Sequence, residues 1–231
     1  MPADHDDILL QQIAYYRARA QEYDEWFYRQ GRYDHGADAN AQWFREVEEV
    51  RQALRALGPA DDILELACGT GIWTEELARI GRRVTALDAS DEVIAINRGK
   101  LPGAPVTYVQ ADLFEWEPER AYDLVFFGFW LSHVPPETLA AFLQKVARAA
   151  RPGGQVFMVD SRRHPLSGAK GTLKIEDEIY HTRQLNDGRE FTIIKIYYEP
   201  DDLARHFDAA GFDLTARATA QFLVYAQGKR R

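Results

Sequence analysis

Short apolar runs separated by stretches of helical period dominate the middle of the chain. Ile63-Leu64-Glu65-Leu66 is a nearly continuous apolar run, the pattern of a strand buried on both faces. Comparable runs recur at Val84-Thr85-Ala86-Leu87, Val106-Thr107-Tyr108-Val109, Leu124-Val125-Phe126-Phe127 and Val156-Phe157-Met158-Val159. Helical spacing follows the strands near residues 72–80, 91–99 and 136–150. Two further helices are predicted ahead of the first strand. One spans Ile8 to Tyr28, with Leu9, Ile13, Tyr16, Ala20, Tyr23 and Phe27 at helical spacing; the other runs from about Ala37 to Leu57 and stops at Gly58-Pro59. Strands alternating with helices predict an α/β fold with a mostly parallel sheet covered on both faces. After the fifth run the pattern changes. Residues 178–185 and 190–197 flank Asn186-Asp187-Gly188-Arg189, which predicts a β-hairpin. A helix near 201–210 should stop at Gly211, followed by strands near 212–218 and 220–227. Gly228-Lys229-Arg230-Arg231 reads as a disordered basic tail.

The densest chemistry sits where the first run ends, at Glu65-Leu66-Ala67-Cys68-Gly69-Thr70-Gly71. Glycines at a strand-to-helix turn permit positive φ and close approach of a ligand to the backbone, and the helix N-terminus offers unpaired N–H groups. A dinucleotide fingerprint needs a third glycine where Thr74 stands, and a P-loop needs a lysine that does not follow these glycines. S-adenosylmethionine is the remaining one of the three readings.

The same stretch resembles the first motif of class I S-adenosylmethionine-dependent methyltransferases, an acid, three residues, then Gly-x-Gly. Further motifs follow in the family's order: Arg83 to Asp88, Val106 to Asp112, Tyr122 to Phe127 with Gly128-Phe129-Trp130-Leu131-Ser132-His133-Val134, and Arg151-Pro152-Gly153-Gly154 ahead of the fifth strand. The resemblance covers residues 60–160 motif by motif. It implies a Rossmann-like, seven-stranded sheet of order 3-2-1-4-5-7-6, its last strand antiparallel, with an N-terminal helical lid and a hairpin insertion after strand 5. It also implies that Asp88 accepts from the ribose hydroxyls and Asp112 from the adenine amino group. Glu65, Ala67, Gly69, Gly71 and Trp73 are the further expected cofactor contacts around the first turn. Ala89, Ser90, Leu113 and Phe129 are those at the later strand ends, and Tyr15 and Tyr28 those from the lid. Asp88 ahead of Ser90 and Asp91 would also serve as a helix cap, and Asp123, which starts a strand, is expected to be structural.

Methyl transfer demands alignment of a nucleophile with an activated carbon, and a general base only if the nucleophile must lose a proton. His133 follows the fourth strand at the carboxyl edge and is the candidate for a catalytic residue, with local backbone bonding as the equal alternative. His164 and His181 are weaker candidates. Arg162, Arg163, Arg183 and Lys195 could hold a carboxylate or phosphate on the acceptor, although basic side chains usually face solvent.

Composition narrows the picture. The chain has 231 residues, enough for a single domain with a sizeable core. Its expected parts are N-terminal helices over 1–57, a cofactor-binding core over 60–160, the hairpin insertion over 161–198 and closing elements over 199–231. A net charge of −8 argues against nucleic acid as the partner. A single cysteine, Cys68, excludes an internal disulfide framework and reads as a small buried residue. The first residues lack a signal-peptide pattern, and no apolar stretch approaches the ~20 residues of a membrane span. No metal-ligand spacing is present, so no metal is expected. These features favour a cytoplasmic monomer or homodimer that methylates a small molecule. Methylation of a protein or RNA, and cofactor binding without methyl transfer, remain open alternatives.

Overall fold

The computed structural model describes residues 5–170, 174–175 and 179–231. Five parallel strands come first: β1 (Ala60–Leu66), β2 (Gly81–Asp88), β3 (Val106–Gln110), β4 (Tyr122–Gly128) and β5 (Ala150–Ser161). β6 (Lys174–Ile175), β7 (Tyr180–Gln184) and β8 (Glu190–Ile194) form a small antiparallel sheet of their own. β9 (Phe212–Ala218) and β10 (Leu223–Arg230) complete the large sheet, whose order is β3-β2-β1-β4-β5-β10-β9. β10 runs antiparallel to both β5 and β9. Leaving aside the small sheet, this is the expected order 3-2-1-4-5-7-6.

The apolar runs are continuous because both faces of the sheet are covered. Successive side chains point to opposite faces. Leu64, Leu66, Val125, Phe127 and Met158 therefore join one core with α6 (Pro136–Ala149) and α7 (Pro200–Ala209). Ile63, Leu124, Phe126, Phe157 and Val159 join a second core with α3 (Ala37–Arg55) and α4 (Thr74–Ile80). The crossover from β2 to β3 is made by α5 (Asp91–Lys100), capped by the Ser90 side chain.

Two expectations are corrected. The long first helix is broken into α1 (His5–Ala18) and α2 (Tyr23–Phe27). Its aromatic residues serve surfaces that lie in different directions. Tyr15 packs against Phe191 of the hairpin, at 5.7 Å between ring centres, whereas Trp26 and Phe27 enter the sheet core beside Trp43. No single straight helix meets both. The C-terminal residues are not a disordered tail: Gly228 and Lys229 pair with Val156 and Gln155 of β5 on one side and with Leu214 and Asp213 of β9 on the other. Gly228 fits there because a Cβ would stand 2.2 Å from the Asp213 carbonyl oxygen. Arg231 continues the chain as a donor to the Asp208 carboxylate at 2.7 Å.

The hairpin forms as expected around Gly188, at φ 90°, although its predicted first residue, Glu178, lies outside the described residues. α1 lies along β8 through two glutamines. Gln12 donates to the His133 carbonyl at 3.1 Å and accepts from the Ile194 N–H at 3.1 Å, and Gln11 accepts from the Thr192 N–H at 3.2 Å. Among the described residues no helix is long and apolar enough to cross a membrane.

Candidate active site

The turn after β1 is bent by three residues at positive φ: Ala67 at 54°, Gly69 at 51° and Gly71 at 94°. Gly71 has a second constraint, since a Cβ there would lie 2.6 Å from Oδ1 of Asn97. Asn97 is a buried asparagine on α5 that ties the turn together. It donates to the Gly69 carbonyl at 3.3 Å and to Thr74 Oγ1 at 2.8 Å, and accepts from Tyr108 at 2.9 Å. Asp88, at the end of β2, accepts from the Gly69 N–H at 2.9 Å with one oxygen and from the Ser90 N–H at 3.0 Å with the other. Each oxygen retains a lone pair for another donor. Burial raises the Asp88 pKa against the pull of these backbone N–H groups.

Glu65 lies behind the turn and is 1% exposed. Burial pushes its pKa up to about 8, and its Oε2 has no hydrogen-bond partner. A buried acid with an open oxygen beside a ligand loop suits a cationic group. It fits the amino group of an amino-acid-bearing cofactor such as S-adenosylmethionine.

Two cavities open from the carboxyl ends of β1 and β4, where ligands bind in open α/β sheets. The glycine-loop cavity spans about 850 Å³, including the space open to solvent at its mouth. Ala67, Gly69 and Asp88 form its floor; Ala89, Ser90, Asp112 and Leu113 form one side, and Phe129 another. Asp112 also accepts from the Phe114 N–H at 2.9 Å, which fixes its carboxylate at the rim. α1 contributes Leu9, Ile13 and Tyr16 from above. The basic cavity spans about 770 Å³, including the space open to solvent at its mouth, between α1, α2 and the hairpin. Its walls carry Arg19, Arg32, Arg183 and Lys195 among tyrosines, and no Asp or Glu among the described residues. Tyr16, Tyr23, Phe129 and His133 line both cavities and form their common wall.

His133 is held in this wall by both ring nitrogens. Nδ1 lies 2.6 Å from the Ile194 carbonyl oxygen, which can only accept, so Nδ1 carries the proton. Burial, reinforced by nearby Lys195, drives the His133 pKa well down, so the ring is neutral and Nε2 is an acceptor. The Tyr16 hydroxyl therefore donates to Nε2 at 2.6 Å. Burial holds the Tyr16 pKa well above its ordinary value, which keeps that proton on the phenol. Lys195 is buried beside this pair and donates to Ser132 Oγ at 2.7 Å and to Asp160 at 2.9 Å.

The structure brings most of the sequence-derived positions together, and separates others. Glu65 and Trp73 line a small recess behind the turn rather than the main cavity, together with Gly69 and Phe129. Gly71 shapes the turn without lining any cavity. Tyr15 faces the basic cavity and not the glycine-loop cavity. Tyr28 lines neither; it is 42% exposed and its ring edge meets Phe27. Of the basic residues, Arg183 and Lys195 reach the basic cavity, while Arg162 donates to the Thr219 carbonyl and Arg163 lies over Tyr197. His164 lines the basic cavity and His181 is buried elsewhere. Asp123 accepts from the Asp62 N–H at 2.8 Å, at the opposite ends of the strands. Arg19, Arg32, Tyr16 and Asn97 escaped sequence reasoning as site residues. A charged residue amid an otherwise aromatic helical stripe, as Arg19 is, was the available signal.

Asp24 of α2 accepts from the Thr70 hydroxyl at 2.5 Å and pairs with Lys100, so the segment above the glycine turn is anchored to the turn itself.

Comparison with known proteins agrees with this geometry. The methyltransferase-domain family profile matches residues 63–154. The ubiquinone biosynthesis O-methyltransferase of Xanthomonas axonopodis pv. citri (strain 306) is 30% identical over 172 residues, 73% of this chain and 68% of that protein. Its counterpart in Xanthomonas euvesicatoria pv. vesicatoria (strain 85-10) is 32% identical over 173 residues, with the same coverage. Among solved structures, the DhpI–SAM–HEP complex aligns with a TM-score of 0.78 and 36% identity over 98% of this chain and 99% of that one. Sheet order, glycine turn, ordered acids and these relatives lead to one statement: the chain belongs to the class I S-adenosylmethionine-dependent methyltransferases.

Proposed function

We propose that this enzyme transfers the methyl group of S-adenosylmethionine to a small molecule held in the basic cavity. The observation that carries the reading is the common wall: the glycine-loop cavity and the basic cavity meet at Tyr16, Tyr23, Phe129 and His133. A donor in one and an acceptor in the other would lie end to end, the arrangement an in-line displacement needs. Orientation of this kind can supply on the order of 7–11 kcal/mol of the barrier.

Each residue then has a task. Glu65 takes the ammonium of the methionine portion. Asp88 accepts from the ribose hydroxyls with the lone pairs that Gly69 and Ser90 leave open. Asp112 accepts from the adenine amino group between Leu113 and Ala89. The ring of Tyr23, on the common wall, offers its face to a sulfonium. When bound, the cofactor supplies an electrophilic methyl carbon on that sulfonium. His133 is a positioning residue, because its one free lone pair is already engaged by Tyr16. Tyr16 is the group that presents a hydroxyl oxygen to the junction.

The enclosure by α1, α2 and the hairpin favours a small acceptor over a protein or RNA. The buried Cys68 thiol, pushed well up by burial, suits the cytoplasm, where we place the enzyme as a monomer or homodimer without nucleic acid or membrane.

The test is incubation with methyl-labelled cofactor and a metabolite panel, with mass detection of products. Tyr16→Phe should lower kcat by about tenfold or more while affinity for S-adenosylhomocysteine stays within about twofold, since only a hydroxyl at the junction is lost. Loss of S-adenosylhomocysteine binding in the unaltered protein would sink the whole reading, and unchanged kcat in Tyr16→Phe would sink the role of Tyr16.

A further inference from the structure

Among the described residues, the charges lining the basic cavity do not cancel. Two of its four cations are already paired: Lys195 with Asp160 at 2.9 Å, and Arg32 with Glu22 at 3.7 Å. Arg32 also donates to the Gln184 carbonyl at 2.6 Å. The other two, Arg19 and Arg183, have no carboxylate partner among the described residues.

Arg19 is 8% exposed, which is costly for a guanidinium without a counter-charge. Aromatic rings surround it instead. Its carbon stands 5.1 Å from the centre of the Tyr23 ring and 5.5 Å from that of Tyr15, with Trp26 and Tyr33 near 6 Å. Among the described residues its guanidinium makes one hydrogen bond, 3.5 Å long, to the Tyr33 hydroxyl, and its Nε has no partner. A terminal nitrogen of Arg183 is likewise buried without a partner. Ring faces soften a buried cation, but they do not satisfy planar N–H donors. The tyrosines cannot compensate by ionising, because burial raises the pKa of both Tyr15 and Tyr16.

Resting on the methyltransferase reading of the same site, we propose that the acceptor is a small oxyacid whose anionic carboxylate or phosphoryl group is bound by Arg19 and Arg183, flanked by Lys195 and Arg32. Guanidinium forks match both groups in geometry and charge, and a cavity with a surplus of buried positive charge concentrates such ions. The neighbouring ring of Tyr23 belongs to the common wall, so an acid on Arg19 sits beside the junction where the methyl group arrives. A neutral or cationic acceptor of the same size would leave these donors buried and unmatched, which makes the cluster a specificity device as well as a binding one.

The test titrates protein saturated with S-adenosylhomocysteine with acetate and, separately, with inorganic phosphate, at constant ionic strength set by chloride. Binding is followed by calorimetry. At least one anion should bind, and which one separates the carboxylate from the phosphoryl form of the proposal. Arg183→Gln should weaken it by about tenfold or more, with S-adenosylhomocysteine affinity unchanged. Arg183→Lys should recover part of the loss. Arg19→Gln should act in the same direction, but Arg19 is packed among four rings, so Arg183 carries the decision if that variant does not fold. The proposal is overturned if neither anion binds above the chloride background, or if Arg183→Gln binds it as the unaltered protein does. Because the cofactor product is already bound in every arm, such a failure would leave the methyltransferase reading standing.

Discussion

The glycine-loop cavity and the basic cavity share a wall but are built from different material. The floor and sides of the first are strand ends and the turns after them, with α1 above. Its charged groups are the carboxylates of Asp88 and Asp112, and backbone N–H groups hold them in place. The second is made of side chains brought from α1, α2 and the hairpin, over a separation in sequence of more than 140 residues in contacts such as Trp26 to Ser167. Its polar groups are cations, and two of them lack a counter-charge among the described residues. Backbone-held acids form a rigid socket that can recognise one cofactor in many relatives. A cage of long side chains on inserted elements can be altered without disturbing that socket.

Several experiments would break this contrast if it is false. The largest effect is expected at Gly71. Gly71→Ala puts an L side chain at φ 94° and 2.6 Å from Asn97, so it should cost about 2–4 kcal/mol of stability through strain and overpacking. Urea unfolding measures it. An unchanged midpoint would mean that Asn97 moves aside and that the socket is softer than described. Next is Asp88→Ala, which removes the acid that holds the turn and is proposed to accept from the ribose. Affinity for S-adenosylhomocysteine should fall by about 1.5–3 kcal/mol, roughly ten- to a hundredfold. Anion affinity in the basic cavity, measured without cofactor, should barely move. Equal losses in both would show that the two cavities are one structural unit.

The smallest effect concerns protons. Glu65 has a pKa of about 8 before a ligand arrives, so it is mostly protonated at pH 7. An ammonium placed beside it favours the carboxylate and lowers that pKa. Binding S-adenosylhomocysteine near pH 7 should therefore release a fraction of a proton, and affinity should rise with pH until it levels above about 8. Calorimetry in two buffers of different ionisation heat detects the release. Proton uptake, or no dependence on buffer, would place the ammonium elsewhere. In the ligand-free protein the same raised pKa works the other way on folding. The folded state holds a proton that the unfolded state gives up above its ordinary value of 4.5, so this contribution to stability falls between pH 4.5 and about 8.

How legible each cavity was follows from its construction. Glu65, Gly69, Gly71, Asp88 and Asp112 lie at strand ends in chain order, and a pattern of short apolar runs marks strand ends directly. Asn97 was missed because a buried asparagine on a helix looks like any polar helical residue until the turn it braces is visible. Arg32 was missed because nothing local distinguishes a buried arginine from a solvated one, and Arg19 because a lone charge within an aromatic stripe is only a weak sign of burial. Tyr15, Tyr16 and Tyr28 show the limit of periodicity. Helical spacing put aromatic residues above the cofactor, but it could not foresee the break after Ala18, which turns Tyr15 toward the hairpin and leaves Tyr28 outside. The strand pairing of Gly228 to Arg230 was hidden by composition. A polar, glycine-containing segment reads as a tail, yet backbone ladders on both sides secure it.

The common wall has a thermodynamic consequence. Tyr16, Tyr23, Phe129 and His133 each present one surface to either cavity, and the Tyr16–His133 hydrogen bond runs within that wall. If a ligand on one side draws Tyr16 into a different orientation, the other side changes with it. By linkage, whatever factor the cofactor imposes on acceptor affinity, the acceptor must impose on cofactor affinity. Orientation of a single tyrosine can therefore decide whether the two ligands enter in a preferred order, and whether the spent cofactor leaves before or after the methylated product.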